Sequence, residues 1–404
     1  VLAAGEIASS AVDTLGDTLG GIGSGIVWDP QTDRLIAVPD RGPGDGTLPF
    51  TPRFHFLDVS KSSSDPHVLD LRVAETVLLR DAQGRPFTGL LPDNEVDGVP
   101  MREGAVCLDP EAISLGPDQT VYLADEYGPF LYQFSRKGRM LRRIALPERF
   151  QPRGKSGKMV VEEGEKIVSG RDENRGPEGM CLLPDGKHVA LIFQSALAQD
   201  GGRKGGTARI LVLELSTGQP VAEYGYLFEQ PESVFGAKTS HSFKDLSIND
   251  LVALSNHQFL VLERDRFGRD GSKKPKAARY KAVWMIDTRA ATNLIGTGHA
   301  KLPGEEGFAP LSRESSIQFV SKKLLFDLVD IVNQMPDWDP SRLPAKWEGL
   351  ALISSRTANP LVLYMAADND FLTPELHFGG KSYSFPRAQD RVPTTIFEIE
   401  AERP

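Results

Sequence analysis

The sequence predicts an all-β chain folded as a single β-propeller. Three observations carry that expectation. Apolar runs of four to seven residues recur along the chain, each bounded by Gly, Pro, Asp or Asn, which is how strands read. The runs return in one repeated order, the mark of a structure built from equivalent units. Helical periodicity is almost absent. The best helix stretch is Leu324 to Met335, with apolar Leu324, Leu325, Leu328, Ile331, Val332 and Met335, and part of it reads equally well as a strand.

The first unit runs Gly25 to Asp29, Leu35 to Val38, Arg53 to Asp58, and a fourth strand within Leu71 to Leu79. The second runs Glu111 to Leu115, Val121 to Glu126, Phe130 to Phe134 and Leu141 to Leu146. The third runs Glu178 to Leu182, Val189 to Gln194, Ala208 to Leu215 and Ala222 to Phe228. The fourth runs Asp250 to Leu254, Phe259 to Arg264, Ala282 to Asp287 and Lys323 to Asp327. The fifth has three strands, Glu348 to Leu352, Leu361 to Asp368 and Thr395 to Glu400. The N-terminal segment Glu6 to Leu15 is free to supply its outer strand and close a ring. Radial closure leaves only short sheet edges, which answers the edge-strand problem. Five blades are expected, with six as the alternative if a long insertion hides one. The whole chain, 1–404, is then one domain, although its length alone would suggest two or three. Five long loops separate the units: Asp81 to Pro110, Pro147 to Pro177, Glu229 to Asn249, Thr288 to Ser315 and Phe371 to Pro393. Loops of that length usually carry function or disorder.

Composition narrows the function. Acids outnumber bases 55 to 46, a net charge of −9, which argues against nucleic acid or anionic lipid as partner. No apolar run approaches the length of a membrane span. Two cysteines, Cys107 and Cys181, are too few for a disulfide scaffold or a thiolate zinc site, and whether they pair is open. The chain starts Val-Leu-Ala-Ala-Gly without Met, as a trimmed chain or a processed export precursor would, and its low cysteine use fits a bacterial periplasmic or secreted enzyme and equally a cytosolic one.

Where the acids fall matters more than their number. The start of a blade's first strand lies beside the end of its second, at one end of the central channel. The starts are Ser24, Glu111, Glu178, Asp250 and Glu348. The ends are Asp40, Asp125-Glu126, Gln194, Glu263 and Asp368. So many carboxylates in one funnel cannot all stay ionised and unpaired. Arg41, Arg264, Arg175, Arg102 and Lys346 lie near them in sequence. The remaining charge is most simply balanced by a hard divalent cation on oxygen ligands, Ca²⁺ or else Mg²⁺.

Other templates fit less well. Asp93 to Gly98 has the first half of a calcium loop, but the acid expected at its twelfth position falls one residue early, at Glu103, so an ordinary polar loop is expected. Gly21-Ile22-Gly23-Ser24-Gly25 is neither a nucleophile elbow nor a dinucleotide fingerprint. His241 is the one histidine placed near the funnel, and Ser24 has no His–Asp pair in view to activate it.

At these residues the sequence resembles the phytase-like family described as "esterase-like activity of phytase". The matching pieces are Gly23-Ser24-Gly25-Ile26, Pro39-Asp40-Arg41, Asp109-Pro110-Glu111-Ala112-Ile113 and Gly176-Pro177-Glu178-Gly179-Met180. They continue with Asn249 to Leu254, Leu262-Glu263-Arg264, Trp347-Glu348-Gly349-Leu350-Ala351 and Asp368-Asn369-Asp370-Phe371. The resemblance implies exported, bacterial-type proteins that hydrolyse phosphoric or other esters. The family pattern brings no unambiguous catalytic residue, so the expected site is drawn from the acidic ring. Glu111, Glu178, Asp250 and Glu348 are metal ligands. Asp40, Glu126, Glu263 and Asp368 are ligands or general bases. Arg41, Arg264, Arg175, Lys346, Asn369 and His241 contact a small-molecule ester or phosphoester. The alternative is a binding or sensor propeller, or a hydrolase or lyase of sugars or lactones using the same funnel.

Overall fold

Alternating apolar residues pair into five four-stranded antiparallel sheets among the residues that the computed structural model describes, 1–161, 164–335, 338–385 and 391–404. The first sheet is Gly25–Asp29, Arg34–Val38, Arg53–Lys61 and Leu69–Leu78. The second is Pro110–Leu115, Val121–Asp125, Phe130–Phe134 and Met140–Ala145. The third is Pro177–Leu182, His188–Phe193, Thr207–Glu214 and Pro220–Leu227. The fourth is Leu246–Ala253, Gln258–Asp265, Lys281–Asp287 and Ser321–Asp327. The fifth sheet takes Lys346–Leu352, Leu361–Asp368 and Thr394–Ala401 from the C-terminal end and Ala3–Ile7 from the N-terminal end, with Ala4 opposite Phe397. This is a β-propeller. The first strand of each sheet is innermost, and each packs on the first strand of the next, the fifth returning to the first.

The core lies between successive sheets. Ile210, Ile248 and Val261 fill the third interface; Leu262, Val283, Trp347 and Met365 fill the fourth. Trp347 is wholly buried, so truncation to Ala would cost about 3–5 kcal/mol. Close approach of the inner strands also dictates residue type. A Cβ on Gly179 would stand 2.6 Å from the backbone of Asp250 and Leu251, which explains why glycine follows Glu178.

One expectation changes, and two other stretches take a definite form. The outer strand from the N-terminus is Ala3–Ile7, not Glu6 to Leu15. The residues after it turn back, and Asp13 and Asp17 each pair with Arg53 at 2.8 Å. Leu324 to Met335 is half strand and half helix. Asp327 ends the strand, caps the helix Leu328–Asn333 by accepting the Val329 N–H at 2.9 Å, and so divides a stretch whose apolar spacing suits both. Asp93 to Gly98 holds the first turn of a small sheet, Asn94–Val96, Val99–Arg102 and Ala105–Val106. Asp97 and Gly98 both have positive φ, 53° and 73°, the two-residue hairpin turn for which Asp-Gly is suited. Of the expected loops, residues 162–163 and 386–390 lie outside the described part. Cys107 and Cys181 are free and buried.

Candidate functional site

Four of the five inner strands carry the same irregularity. Pro110 pairs with Asp125 and Ala112 with Ala124, so Glu111 is an extra residue between them. Glu178 is extra between Pro177 and Gly179, Asn249 between Ile248 and Asp250, and Glu348 between Trp347 and Gly349. A bulge leaves its extra residue unpaired and re-aims its side chain. Ser24 holds the corresponding place beside Gly25. The second strands run out beside them at Asp40, Glu126, Gln194, Arg264 and Asp368. These ten positions surround one end of the channel, and most of them line a cavity of about 310 Å³.

One wall is acidic. Asp40, Asp368 and Asp370 each bring an oxygen within 4.8 Å of the others, as do Asp109, Glu111 and Glu126. Lys346 neutralises the first trio, with Nζ 2.5 Å from Asp370, 3.3 Å from Asp368 and 3.4 Å from Glu348. Burial lowers its pKa, but Asp370, Glu348, Asp368 and Asp40 outweigh that and raise it well above the usual lysine value. The second trio has Arg41 3.1 Å from Asp109, while the Gly176 N–H donates to Glu126. Glu111 has no hydrogen bond or ion pair with a described residue. Burial, then Glu178, Asp109 and Glu126, push its carboxyl far above the ordinary range. Burial, then Glu126 and Glu348, do the same to Glu178, and burial with Asp368 does it to Asp40.

The facing wall is basic and polar. Arg264 donates to Glu348 at 2.5 Å. The buried Asn249 amide reaches Glu178 at 3.4 Å and Glu348 at 3.3 Å, and its oxygen accepts from Ser247 at 2.8 Å. Gln194 Oε1 is buried and has no hydrogen-bond partner among the described residues. Arg203, Lys244 and Arg266 complete this side. The Arg175 guanidinium makes no hydrogen bond or ion pair with a described residue. Burial, then Arg203, lower its pKa below the usual arginine value.

The structure does not bring every expected residue here. Asp250 sits one residue past the bulge and faces away. Its carboxylate accepts the N–H groups of Leu350 at 2.6 Å and Leu251 at 2.7 Å, tying the fourth and fifth inner strands together. Glu263 likewise points away from the channel, accepting from Tyr226 Oη at 2.6 Å and from the Glu229 N–H at 2.8 Å. A one-residue slip moves a strand side chain to the opposite face. Asn369 is spent on the loop, accepting from Gly21 and Phe371 and donating to Val392. His241 pairs with Asp245 at 3.2 Å between Phe235 and Phe267. Arg102 stays in the small loop sheet, 3.5 Å from Asp93. Sequence reasoning missed Asn249 and Asp109 as site residues, although both stand in the quoted motifs.

The profile described as "Phytase-like: Esterase-like activity of phytase" matches residues 17–371. The chain belongs to this family. All ten mouth positions lie inside the matched span. An "Uncharacterized secreted protein" of Arthroderma benhamiae is 30% identical over 450 residues, covering 92% of this chain and 86% of that protein. Among solved structures, Kuenenia stuttgartiensis hydrazine synthase is 13% identical with a TM-score of 0.36, over 88% of this chain and 78% of that one. A Dos1 propeller is 8% identical with a TM-score of 0.32, over 94% and 72%. No helix among the described residues is long and apolar enough to cross a membrane.

Proposed function

We propose an exported hydrolase of phosphoric esters, or of other small anionic esters, working in the channel mouth with a divalent cation. One observation carries this reading: Arg175, whose guanidinium makes no hydrogen bond or ion pair with a described residue, shares a cavity with buried carboxyls whose proton affinities are raised. The family description and the relative described as secreted support the ester chemistry and the export.

The donor set suits a hard cation. The trio Asp109, Glu111 and Glu126 offers only oxygen atoms, and the Glu111 carboxylate has no hydrogen bond or ion pair with a described residue. These residues would hold Ca²⁺, or Mg²⁺, which when bound would draw charge from an ester oxygen. The trio of Asp40, Asp368 and Asp370 has Lys346 on two of its acids, whereas Arg41 reaches Asp109 in the other trio, so the first trio is the weaker candidate. Arg175, with Arg264 behind it, would bind the ester's anionic group, for which the planar guanidinium is suited. Glu178, whose proton affinity is raised by burial and then by Glu126 and Glu348, would give its proton to the departing alkoxide, and the carboxylate so formed would take a proton from the water that adds to the reacting centre. Asn249 would hold the Glu178 and Glu348 side chains in place.

The test is hydrolysis of an aryl phosphate and an aryl acyl ester by purified protein, with calcium and in excess chelator. Calcium-dependent turnover is expected, falling at least about 100-fold in Glu178→Gln with unchanged melting temperature. Full activity in chelator removes the cation. Ligand-induced stabilisation without turnover of either ester makes this a binding propeller.

A further inference from the structure

The other end of the channel holds a second cavity, of about 410 Å³, lined by residues from all five inner strands. Ile26, Met180 and Leu251 form its nearly buried depth, and Trp28 and Leu352 are half-buried in its wall. That size lies within the roughly 300–1,000 Å³ range of small-molecule sites.

Among the described residues that line this space, one is a cation. Arg356 lies on the turn after the fifth inner strand. Its guanidinium donates from Nη1 to the Ala253 carbonyl, and Nε and Nη2 make no hydrogen bond with a described residue. The turn is held by Arg403, which donates to the carbonyls of Arg356 and Ala358. Arg356 and the buried Cys181 both line this cavity, so the guanidinium stands beside the apolar lining. The acid in the lining is Asp250. Both of its oxygens are taken by the Leu251 and Leu350 amides, so neither is turned to the cavity as a free acceptor.

We propose that this end of the channel binds an aliphatic monocarboxylate, with the alkyl chain between Trp28 and Met180 and the carboxylate on Arg356. The match is one of chemistry: an apolar pocket sized for a small ligand, with a single partly committed guanidinium at hand. The site is separate from the acidic mouth, so the proposal stands or falls independently of the ester-hydrolase reading.

Octanoate and octylamine, two ligands with the same chain and opposite head groups, are titrated into the full-length protein by calorimetry. An ω-brominated octanoate is used to quench tryptophan emission. Octanoate is expected to bind one-to-one and octylamine at least tenfold more weakly, with quenching that disappears in Trp28→Phe. Arg356→Gln should weaken octanoate at least tenfold, and Arg356→Lys should recover part of the loss. Equal affinity for the two head groups, or quenching that survives in Trp28→Phe, overturns the proposal. The head-group comparison uses wild-type protein, so it holds even if Arg356→Gln fails to fold.

Discussion

The two walls of the channel mouth come from equivalent strand positions and carry opposite chemistry. The first, second and fifth sheets supply Asp40, Glu111, Glu126, Asp368 and Asp370. The fourth sheet places Asn249 and Arg264 at the positions that hold Glu111 and Glu126 in the second, and Arg175 enters from the loop before the third. Ten carboxylates facing one another would repel. Replacing some of them by amide and guanidinium makes a cavity of two signs. The bulges provide the positions, and substitution at them provides the chemistry.

Changes on either wall should break the comparison in different ways. The largest stability effect belongs to Lys346. Lys346→Met leaves Asp368, Asp370 and Glu348 without their shared ammonium, and denaturant unfolding should show a loss of about 3 kcal/mol. Unchanged stability would mean that these acids are balanced by something other than Lys346. Arg175→Met on the facing wall should do the reverse. Its guanidinium makes no hydrogen bond or ion pair with a described residue, and only the pull of Glu178 and Glu126 holds it in the free protein, so unfolding should change little while KM for an anionic ester rises roughly tenfold. A fall in kcat alone would instead place Arg175 in the reacting step.

A smaller effect sharpens the acidic side. Burial raises Asp125 from 3.8 to about 7, and it raises Glu111, Glu178 and Asp40 in the same direction. Between the unfolded and folded values the native state therefore binds more protons than the unfolded chain. Stability must fall as pH rises through that window. Without added cation, the melting temperature should drop by several degrees between about pH 5 and pH 7.5. A flat profile would mean that the carboxyls titrate normally.

Much of this architecture was legible in the sequence because strands announce themselves by apolar runs between turn residues. The acids at the ends of those runs pointed to the channel mouth. Blade four was misread at both ends for one reason. Asn249-Asp250 and Glu263-Arg264 each offer two polar neighbours, and only the bulge at Asn249 decides which faces the channel. Choosing the acid selected Asp250 and Glu263, and both slipped by one residue. Nothing in local sequence marks a bulge, because it is set by pairing with the neighbouring strand. Asn369 and His241 were misplaced because their partners, Gly21 with Val392 and Phe235 with Phe267, are distant in sequence or set by loop packing. The unpaired state of Arg175 is likewise visible only once the mouth is assembled.

The central claim is that the acidic wall is a cation site and the facing wall is not. Calorimetric titration of calcium into chelator-treated protein tests it most directly, in wild type and in Glu111→Gln. One saturable binding event is predicted for wild type and none for Glu111→Gln, with both proteins folded by circular dichroism. No binding to wild type, or equal binding to both, would contradict the account.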